Sequence, residues 1–181
     1  REQMDLARRD LAYLESVLQE IQQAETEQDF LDIRAELREN GFLKRSGKEK
    51  KELKRATKPR EFRTSGGWRV LVGRNNRQND QLSLKTARRD DLWLHVQKFH
   101  GTHVIIACAG VQPPDGTITE AAELAAYYSE AREGQNVPVD VTPVRFLRKP
   151  NGAKPGMVVY DRYRTVLVTP DAALPARLRV E

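Results

Sequence analysis

Residues 68–109 read WRVLVGRNNRQNDQLSLKTARRDDLWLHVQKFHGTHVIIACA, and this stretch decides the fold. Its apolar runs at 70–72, 93–96 and 104–109 have the length and composition of buried strands. The first run ends at Gly73, and an amide-rich polar segment follows it directly. Because binding residues often lie on loops that a rigid scaffold presents, we expect a sheet with a candidate site in this polar segment.

The chain downstream of this stretch predicts one packed helix and further strands. A helix is expected to open at Thr117, with Glu120 as a capping box, and to stop at Gly134. Strands are predicted in 137–147, where two prolines indicate an edge or a bulge, and in 158–160 and 165–168, which we expect to pair with each other. Residues 62–181 are therefore predicted to form an α+β domain, that is, a mixed α/β sheet domain with packed helices.

The chain upstream carries two helices with apolar seams. In the first helix the seam residues alternate spacings of three and four: Met4, Ala7, Leu11, Leu14, Leu18 and Ile21. The second helix has the same rhythm at Phe30, Ile33 and Leu37 and ends at Asn40-Gly41. Residues 1–43 are predicted to form an α-helical coiled-coil hairpin, the alternative being a bundle inside a globular core.

Charge is divided unevenly along the chain, whose net charge is +5. Residues 1–43 carry 5 basic and 11 acidic residues, whereas residues 44–63 carry 10 basic and 3 acidic ones. Residues 44–61 are predicted to be a basic, solvated linker. The same segment is also suited to tether a polyanion, and the two interpretations are compatible.

Cysteine usage and hydropathy limit the class of protein. Cys108 is the one cysteine in the sequence, which excludes a disulfide framework and favours a reducing cytosol. No apolar run approaches the roughly 20 residues that cross a bilayer, so we expect no membrane partner.

Five pieces of the sequence together resemble one known family. They are VGRNNRQND at 72–80, Lys85, DLWLHV at 91–96, GTHVII at 101–106 and KPNGAKPG at 149–156. This combination resembles the RNA-binding domain of the NFACT family, ribosome quality-control factors of the RqcH/NEMF type, whose bacterial members also carry the name fibronectin-binding protein A. With the helical segment, the resemblance covers nearly the whole chain. The family's N-terminal domain has no counterpart here, so we expect a C-terminal piece of a longer protein that contains part of the family's middle coiled coil.

The resemblance implies RNA-binding roles for side chains in these pieces. Arginine and amide groups present donors and acceptors at fixed geometry to bases and 2′-hydroxyls, and lysines in a stiff loop suit phosphates. The expected set is Arg74, Asn75, Asn76, Arg77, Asn79, Asp80, Lys85, His95, His103, Lys149 and Lys154. The alternatives are an ordinary polar loop at 74–80, in which Asn79 and Asp80 cap the backbone, and an ordinary hairpin loop at 149–156.

Catalytic and metal chemistry have little support in the sequence. His95, His100, His103 and Cys108 do not have the spacing of a closed zinc site, so we expect no metal and buried, hydrogen-bonded histidines. Asp90 and Asp91 are adjacent and would face opposite ways on a strand. The loop at 149–156 lacks the P-loop pattern. We therefore expect no enzyme activity and no cofactor.

The function that the resemblance implies is ribosomal. Such a factor binds tRNA and the large ribosomal subunit carrying an obstructed nascent chain, in the cytoplasm. There it recruits charged tRNA for mRNA-independent addition of a C-terminal tail. The alternative is a surface adhesin that binds fibronectin. A third class, a metal-dependent hydrolase, would rest on the histidines alone.

Trp93 is expected to be buried in the core.

Overall fold

The computed structural model describes residues 1–44 and 57–180. Most of the basic linker predicted for 44–61 falls between these two ranges, so the tether prediction lies outside the described residues. The remainder consists of a helical hairpin, an antiparallel sheet, and helices that cover both faces of the sheet.

The sheet confirms the α+β prediction. Its six strands are antiparallel to their neighbours and run in the order β1 (Arg60–Arg63), β2 (Arg69–Val72), β4 (Val104–Ile106), β3 (Leu92–Val96), β5 (Val137–Pro143) and β8 (Arg164–Val168). A separate two-stranded ribbon contains β6 (Leu147–Arg148) and β7 (Val159–Tyr160). The sheet begins at Arg60, two residues before the predicted boundary, because Arg60 pairs with Val72 in the first hairpin.

The helices lie before, within and after the sheet. They are α1 (Glu2–Gln23), α2 (Glu27–Glu39), α3 (Asn76–Gln81), α4 (Asp115–Tyr127) and α5 (Leu174–Leu178). One π-helical turn, Leu82–Thr86, continues α3, and a 3-10 turn, Val144–Phe146, follows β5. No helix in the described ranges is long and apolar enough to cross a bilayer.

Each face of the sheet has its own core. On one face, the alanine-rich side of α4 packs against valines and leucines of the central strands. On the other face, Leu71, Trp93 and Ile105 pack under Leu82 of the π-helical turn and Leu147 of the ribbon. Trp93 is 1% exposed, which confirms that it is a core residue. The alternation of the side chains along β3 places Leu94 in the first core and Trp93 in the second.

Two strand predictions are wrong. The region with two prolines is not at an edge, because β5 lies between β3 and β8. Pro138 is tolerated there near the strand end, where its carbonyl accepts from the Gln97 amide, 2.9 Å away. The strands expected to pair with each other also do not pair: β7 joins β6, and β8 joins β5. β8 pairs with the buried strand β5, so the short turn that joins β7 to β8 does not make them a hairpin.

The predicted start of the central helix is wrong as well. α4 begins at Asp115, after Pro114, and Thr117 is buried in its first turn without capping it. Glu120 does not close a capping box. Its carboxylate accepts hydrogen bonds from the backbone and the hydroxyl of Ser65, each 2.9 Å, and so joins α4 to the β1–β2 turn.

The end of the same helix comes earlier than predicted. α4 stops at Tyr127, because the following chain turns toward the loop between β3 and β4. Ser129 forms an isolated bridge with Gly101, and the Glu130 amide donates to the His100 carbonyl at 3.0 Å.

The two N-terminal helices form the predicted hairpin, but its core coincides with the predicted seam only in part: Ile33 is buried, and Leu14 and Leu37 are partly buried against it. Tyr13 and Val17 of α1 pack against Ile33 of α2. α2 starts at a capping box that Thr26 forms with Asp29. Five seam residues of α1 are exposed instead: Met4, Ala7, Leu11, Leu18 and Ile21.

The hairpin is packed against the sheet domain. Arg60 of β1 is 1% exposed and lies between them. Its guanidinium donates to the Gln23 carbonyl at 2.6 Å, to the Gly73 carbonyl at 3.2 Å and to the Glu25 carboxylate at 3.0 Å. Arg132 adds a hydrogen bond to the Gln23 side chain. The hairpin is therefore part of the folded body and not a separate appendage.

Candidate nucleic-acid interface

The polar segment 74–80 lies between the hairpin and the sheet. Arg74 lies just beyond β2, after Gly73, and its guanidinium contacts Asp29 at 3.2 Å and Glu25 at 3.7 Å. Its Nε donates to the Lys58 carbonyl at 2.7 Å. With a side chain only 13% exposed, Arg74 is committed to the hairpin rather than presented to solvent.

The next three residues begin α3, and two of them contact the hairpin. Asn75, rather than Asn79, caps α3 by accepting from the Gln78 amide at 2.7 Å. Asn76 is buried, and its amide donates to the Ser16 hydroxyl at 2.8 Å. The backbone N–H of Arg77 donates to the Glu36 carboxylate at 2.8 Å, so the N-terminus of α3 meets a carboxylate, which is a favourable arrangement.

Two buried carboxyl groups lie under this contact. Glu36 accepts a 2.8 Å hydrogen bond from Tyr13 Oη, and burial raises the pKa of the Glu36 carboxyl. Burial also raises the pKa of Glu20, and the neighbouring Glu36 charge raises it further. Burial and Glu36 together raise the pKa of the Tyr13 hydroxyl. The joint between the hairpin and α3 is thus polar and largely closed to water.

Asn79 connects α3 to the start of β4. Its Oδ1 accepts from the Thr102 hydroxyl at 3.1 Å and from the His103 amide at 3.3 Å. A side chain at Gly73 would collide with this carboxamide, so a glycine is required at the end of β2. Thr102 also donates to the Gly73 carbonyl at 2.6 Å. Asn79 therefore shapes the backbone from inside the fold.

Of the two histidines of the predicted site, His103 is enclosed by protein and His95 is half-buried. His103 is 2% exposed, and its ring nitrogens contact the Ser83 hydroxyl at 2.7 Å and the Gly156 carbonyl at 3.0 Å. Burial, the nearby His95 and Lys149 lower the pKa of His103 to about 3, although the Gly156 carbonyl opposes them. Burial likewise lowers the pKa of His95, whose ring is stacked on Trp93 at 5.6 Å.

The loop at 149–156 is attached to the same region. Lys149 Nζ contacts the Asp80 carboxylate at 3.0 Å, and Asp80 also accepts from the Gly156 amide at 3.0 Å. Lys154 Nζ lies 3.2 Å from Asp10 of α1 and 5.3 Å from the centre of the Phe42 ring. Both lysine charges are therefore compensated within the chain.

The structure brings ten of the eleven predicted residues into one continuous network. Lys85 is the exception: it is exposed, and it has no ion pair among the described residues. The RNA-binding roles stay predictions, but the contacts show a structural role for the other ten. Sequence analysis missed the acidic partners at the hairpin bend, Glu25 and Asp29. The available signal was Thr26 three residues before Asp29, a capping-box spacing that marks the bend.

The histidines are not part of a metal-ligand cluster among the described residues. Across residues 1–44 and 57–180, no group of three or more histidine, cysteine, aspartate or glutamate side chains is arranged to hold a metal ion. Cys108 is buried and unpaired, and its thiol contacts the Asp90 carbonyl at 3.5 Å.

Two models of known protein families match the chain, one before and one after residue 57. The model described as NFACT protein RNA binding domain matches residues 58–161, and the one described as NFACT N-terminal and middle domains matches residues 1–56. The chain is 40% identical to "Rqc2 homolog RqcH" of Bacillus subtilis (strain 168) over 180 residues, which is 98% of this chain and 31% of that protein. It is 44% identical to "Rqc2 homolog RqcH" of Streptococcus suis (strain 05ZYH33) over 161 residues, 88% of this chain and 28% of that protein. The chain thus spans less than a third of the length of these relatives.

A solved structure has the same fold. It is the C-terminal part of the fibronectin/fibrinogen-binding protein from Streptococcus suis, which superposes with a TM-score of 0.92 at 38% identity. The match covers 99% of this chain and 71% of that one. Because the RNA-binding-domain model covers more than half of the chain and the relatives are about 40% identical, the chain belongs to the NFACT family.

Proposed function

We propose that this chain is the stem and RNA-binding domain of a ribosome quality-control factor. The factor binds tRNA on a large ribosomal subunit that carries an obstructed nascent chain, in the cytoplasm. There it recruits charged tRNA, so that a C-terminal tail is added without mRNA. The family match and the RqcH relatives support this proposal.

The observation that carries the proposal is the joint between the hairpin and the RNA-binding domain. Arg60, Arg74 and the N-terminus of α3 all contact carboxylates of the hairpin. A factor that positions tRNA relative to the ribosome has to hold its contact surfaces at a fixed separation, because small displacements of bound partners are costly. Buried ion pairs and hydrogen bonds at this joint supply that rigidity.

We propose a binding role without catalysis for this part of the protein. His95 and His103, the residues best suited to acid–base chemistry, have lowered pKa values, and His103 is engaged by Ser83 and Gly156. Peptide-bond formation would then be carried out by the ribosome, and the chain would bind and orient RNA.

The exposed seam of α1 fits the same proposal. Met4, Leu11 and Leu18 are each about 60% exposed and lie on one side of the helix. Apolar residues at alternating spacings of three and four are typical of a coiled-coil partner face. We propose that another helix of the family's middle coiled coil covers this side in the longer protein.

Crosslinking of the intact protein to RNA in cells, followed by sequencing of the attached RNA, tests the proposal. We expect large-subunit ribosomal RNA and tRNA to be enriched over messenger RNA. Joint variants that loosen the hairpin, such as Arg74→Ala, should reduce the tRNA signal more than the ribosomal one. Enrichment of neither RNA would contradict the proposal.

The second candidate function is fibronectin binding. The observation in its favour is the name of the Streptococcus suis structure, a fibronectin/fibrinogen-binding protein. Immobilised chain should then bind soluble fibronectin at physiological salt. A saturable interaction with fibronectin, together with no RNA crosslinking in cells, would favour this alternative.

A further inference from the structure

The end of the sheet where β3 begins, β5 ends and β8 begins carries a cluster of arginines. We call it the arginine end, and it consists of Arg88, Arg89, Arg145, Arg162 and Arg164. The neighbouring loops are tied to each other, because the Arg145 amide donates to the Arg89 carbonyl at 3.0 Å. The Thr142 hydroxyl donates to the Asp161 carbonyl at 3.1 Å, which holds the turn before β8 against the end of β5.

The charge of the arginine end is mostly uncompensated. Arg145 contacts Asp90 at 2.7 Å, but its four companions have no ion pair among the described residues. The exposed acidic side chains on the same loops are Asp90 and Asp161, whereas Asp91 is buried and accepts from the Arg88 and Ala109 amides. Four of the five cations of the predicted site differ in this respect, since Arg74, Arg77, Lys149 and Lys154 each have a carboxylate partner, whereas Lys85 has none among the described residues.

Aromatic rings organise this cluster. The Arg145 guanidinium lies 4.7 Å from the centre of the Phe146 ring, and that of Arg162 lies 5.2 Å from it. One ring thus holds two like charges close together, an arrangement that an external anion would stabilise. Tyr163 is 47% exposed beside them, and its ring packs edge-on against Tyr160 at 5.3 Å.

We propose that the arginine end is the surface through which this domain binds RNA, by phosphate contacts from its unpaired arginines and by stacking of an unpaired base on Tyr163. The inference rests on the RNA-binding function proposed above and gives that function a location. Arginine is suited to this role because its planar fork matches phosphate oxygens and is always charged. The residues of segment 74–80 then act at a distance from the RNA, by holding the hairpin.

A salt titration of RNA affinity with the 181-residue chain tests the location. The triple variant Arg89→Ala/Arg162→Ala/Arg164→Ala should flatten the log–log salt dependence by roughly two units, since each lost phosphate contact contributes about 0.7–0.9. At about 0.1 M salt the affinity for tRNA should fall on the order of a hundredfold. The triple variant Arg89→Lys/Arg162→Lys/Arg164→Lys should keep the log–log salt dependence of the unchanged protein, because it keeps the three positive charges.

A matched control uses three exposed arginines of the hairpin. Arg8→Ala/Arg9→Ala/Arg34→Ala lowers the net charge from +5 to +2, as the test triple does. None of these arginines has an ion pair among the described residues. We expect the control to change the affinity less than threefold, an order-of-magnitude bound for exposed charges distant from the RNA. Equal losses in both triples would overturn the inference, because net charge would then explain the binding.

Stacking is tested at Tyr163. Tyr163→Ala should weaken binding of an unstructured RNA about tenfold, and Tyr163→Phe should bind like the unchanged protein, since the ring is retained.

If the unchanged chain binds no RNA even at low salt, the RNA-binding function itself fails. If it binds RNA and the test triple binds equally well, only the location is wrong. A triple that binds free RNA normally but not large ribosomal subunits would assign this surface to a ribosomal protein and overturn the inference.

Discussion

Arg60 and Glu25 form a 3.0 Å ion pair that joins the first strand of the sheet to the bend of the helical hairpin. Burial raises the pKa of Glu25, but hydrogen bonds and charges from Arg179 and Arg60 outweigh it, so that the pKa falls to about 2. Arg60 also satisfies two backbone carbonyls, one on each side of the joint. This relationship makes the hairpin and the domain one folding unit.

Substitution of Arg60 tests the strength of this joint. Arg60→Ala should lower the free energy of unfolding by roughly 3–5 kcal/mol, because it leaves two buried carbonyls without their donor, at about 1–3 kcal/mol each, and removes one of the cations that hold Glu25. Urea unfolding measures the effect. Arg63→Ala, on the exposed side of the same strand, is the control and should stay within about 0.5 kcal/mol. A loss from Arg60→Ala below about 1 kcal/mol would mean that the hairpin is held elsewhere.

Glu20 should be a destabilising group at neutral pH. Its pKa is raised in the folded chain, so the folded state is penalised once the pH exceeds the unfolded value near 4.5. Glu20→Gln is therefore expected to stabilise the protein at pH 7, on the order of 1 kcal/mol. The gain should shrink as the pH falls through about 4.5 and vanish at about pH 3.5, where the carboxyl is largely protonated in both states. Thermal unfolding at about pH 7 and about pH 3.5 measures this, and a gain that persists at low pH would exclude the ionisation as its cause.

His103 should make the domain sensitive to mild acid. Its folded pKa of about 3 lies below the unfolded value near 6.5, so its neutral form contributes stability above pH 6.5 that is lost as the pH falls toward 3. Between pH 7 and pH 5 the loss is about 2 kcal/mol for this group. Urea unfolding at several pH values should show this slope, and His103→Gln should reduce it. His100→Gln, at a partly exposed position, is the control, and a slope unchanged by His103→Gln would contradict the assignment.

Trp93 should be an energetic centre of the second core. Trp93→Ala is expected to cost roughly 3–5 kcal/mol, as for other large core aromatics. Trp93→Phe should cost less, because the indole N–H has no hydrogen-bond partner among the described residues and its loss leaves no acceptor unsatisfied. Calorimetry measures both variants. A Trp93→Ala protein that melts like the unchanged chain but no longer binds RNA would show that Trp93 stacks on RNA.

The local sequence determined the elements of this fold. The apolar runs at 70–72 and 93–96 are strands, the Gly66-Gly67 turn closes the first hairpin, and Asn40-Gly41 ends α2. These features rest on neighbouring residues, since short apolar runs, glycine turns and caps are interactions within a few positions. The resemblance to the NFACT family likewise followed from the sequence.

Tertiary structure alone decided the pairing of the strands and the surroundings of the polar segment. Arg74 and Asp29 are 45 positions apart, and nothing local indicates that one neutralises the other. The same side chains suit both an RNA phosphate and a buried carboxylate, because both are anions that accept from a guanidinium. Only the approach of the hairpin distinguishes the two. It encloses segment 74–80, whereas four of the five arginines at the arginine end have no carboxylate partner among the described residues.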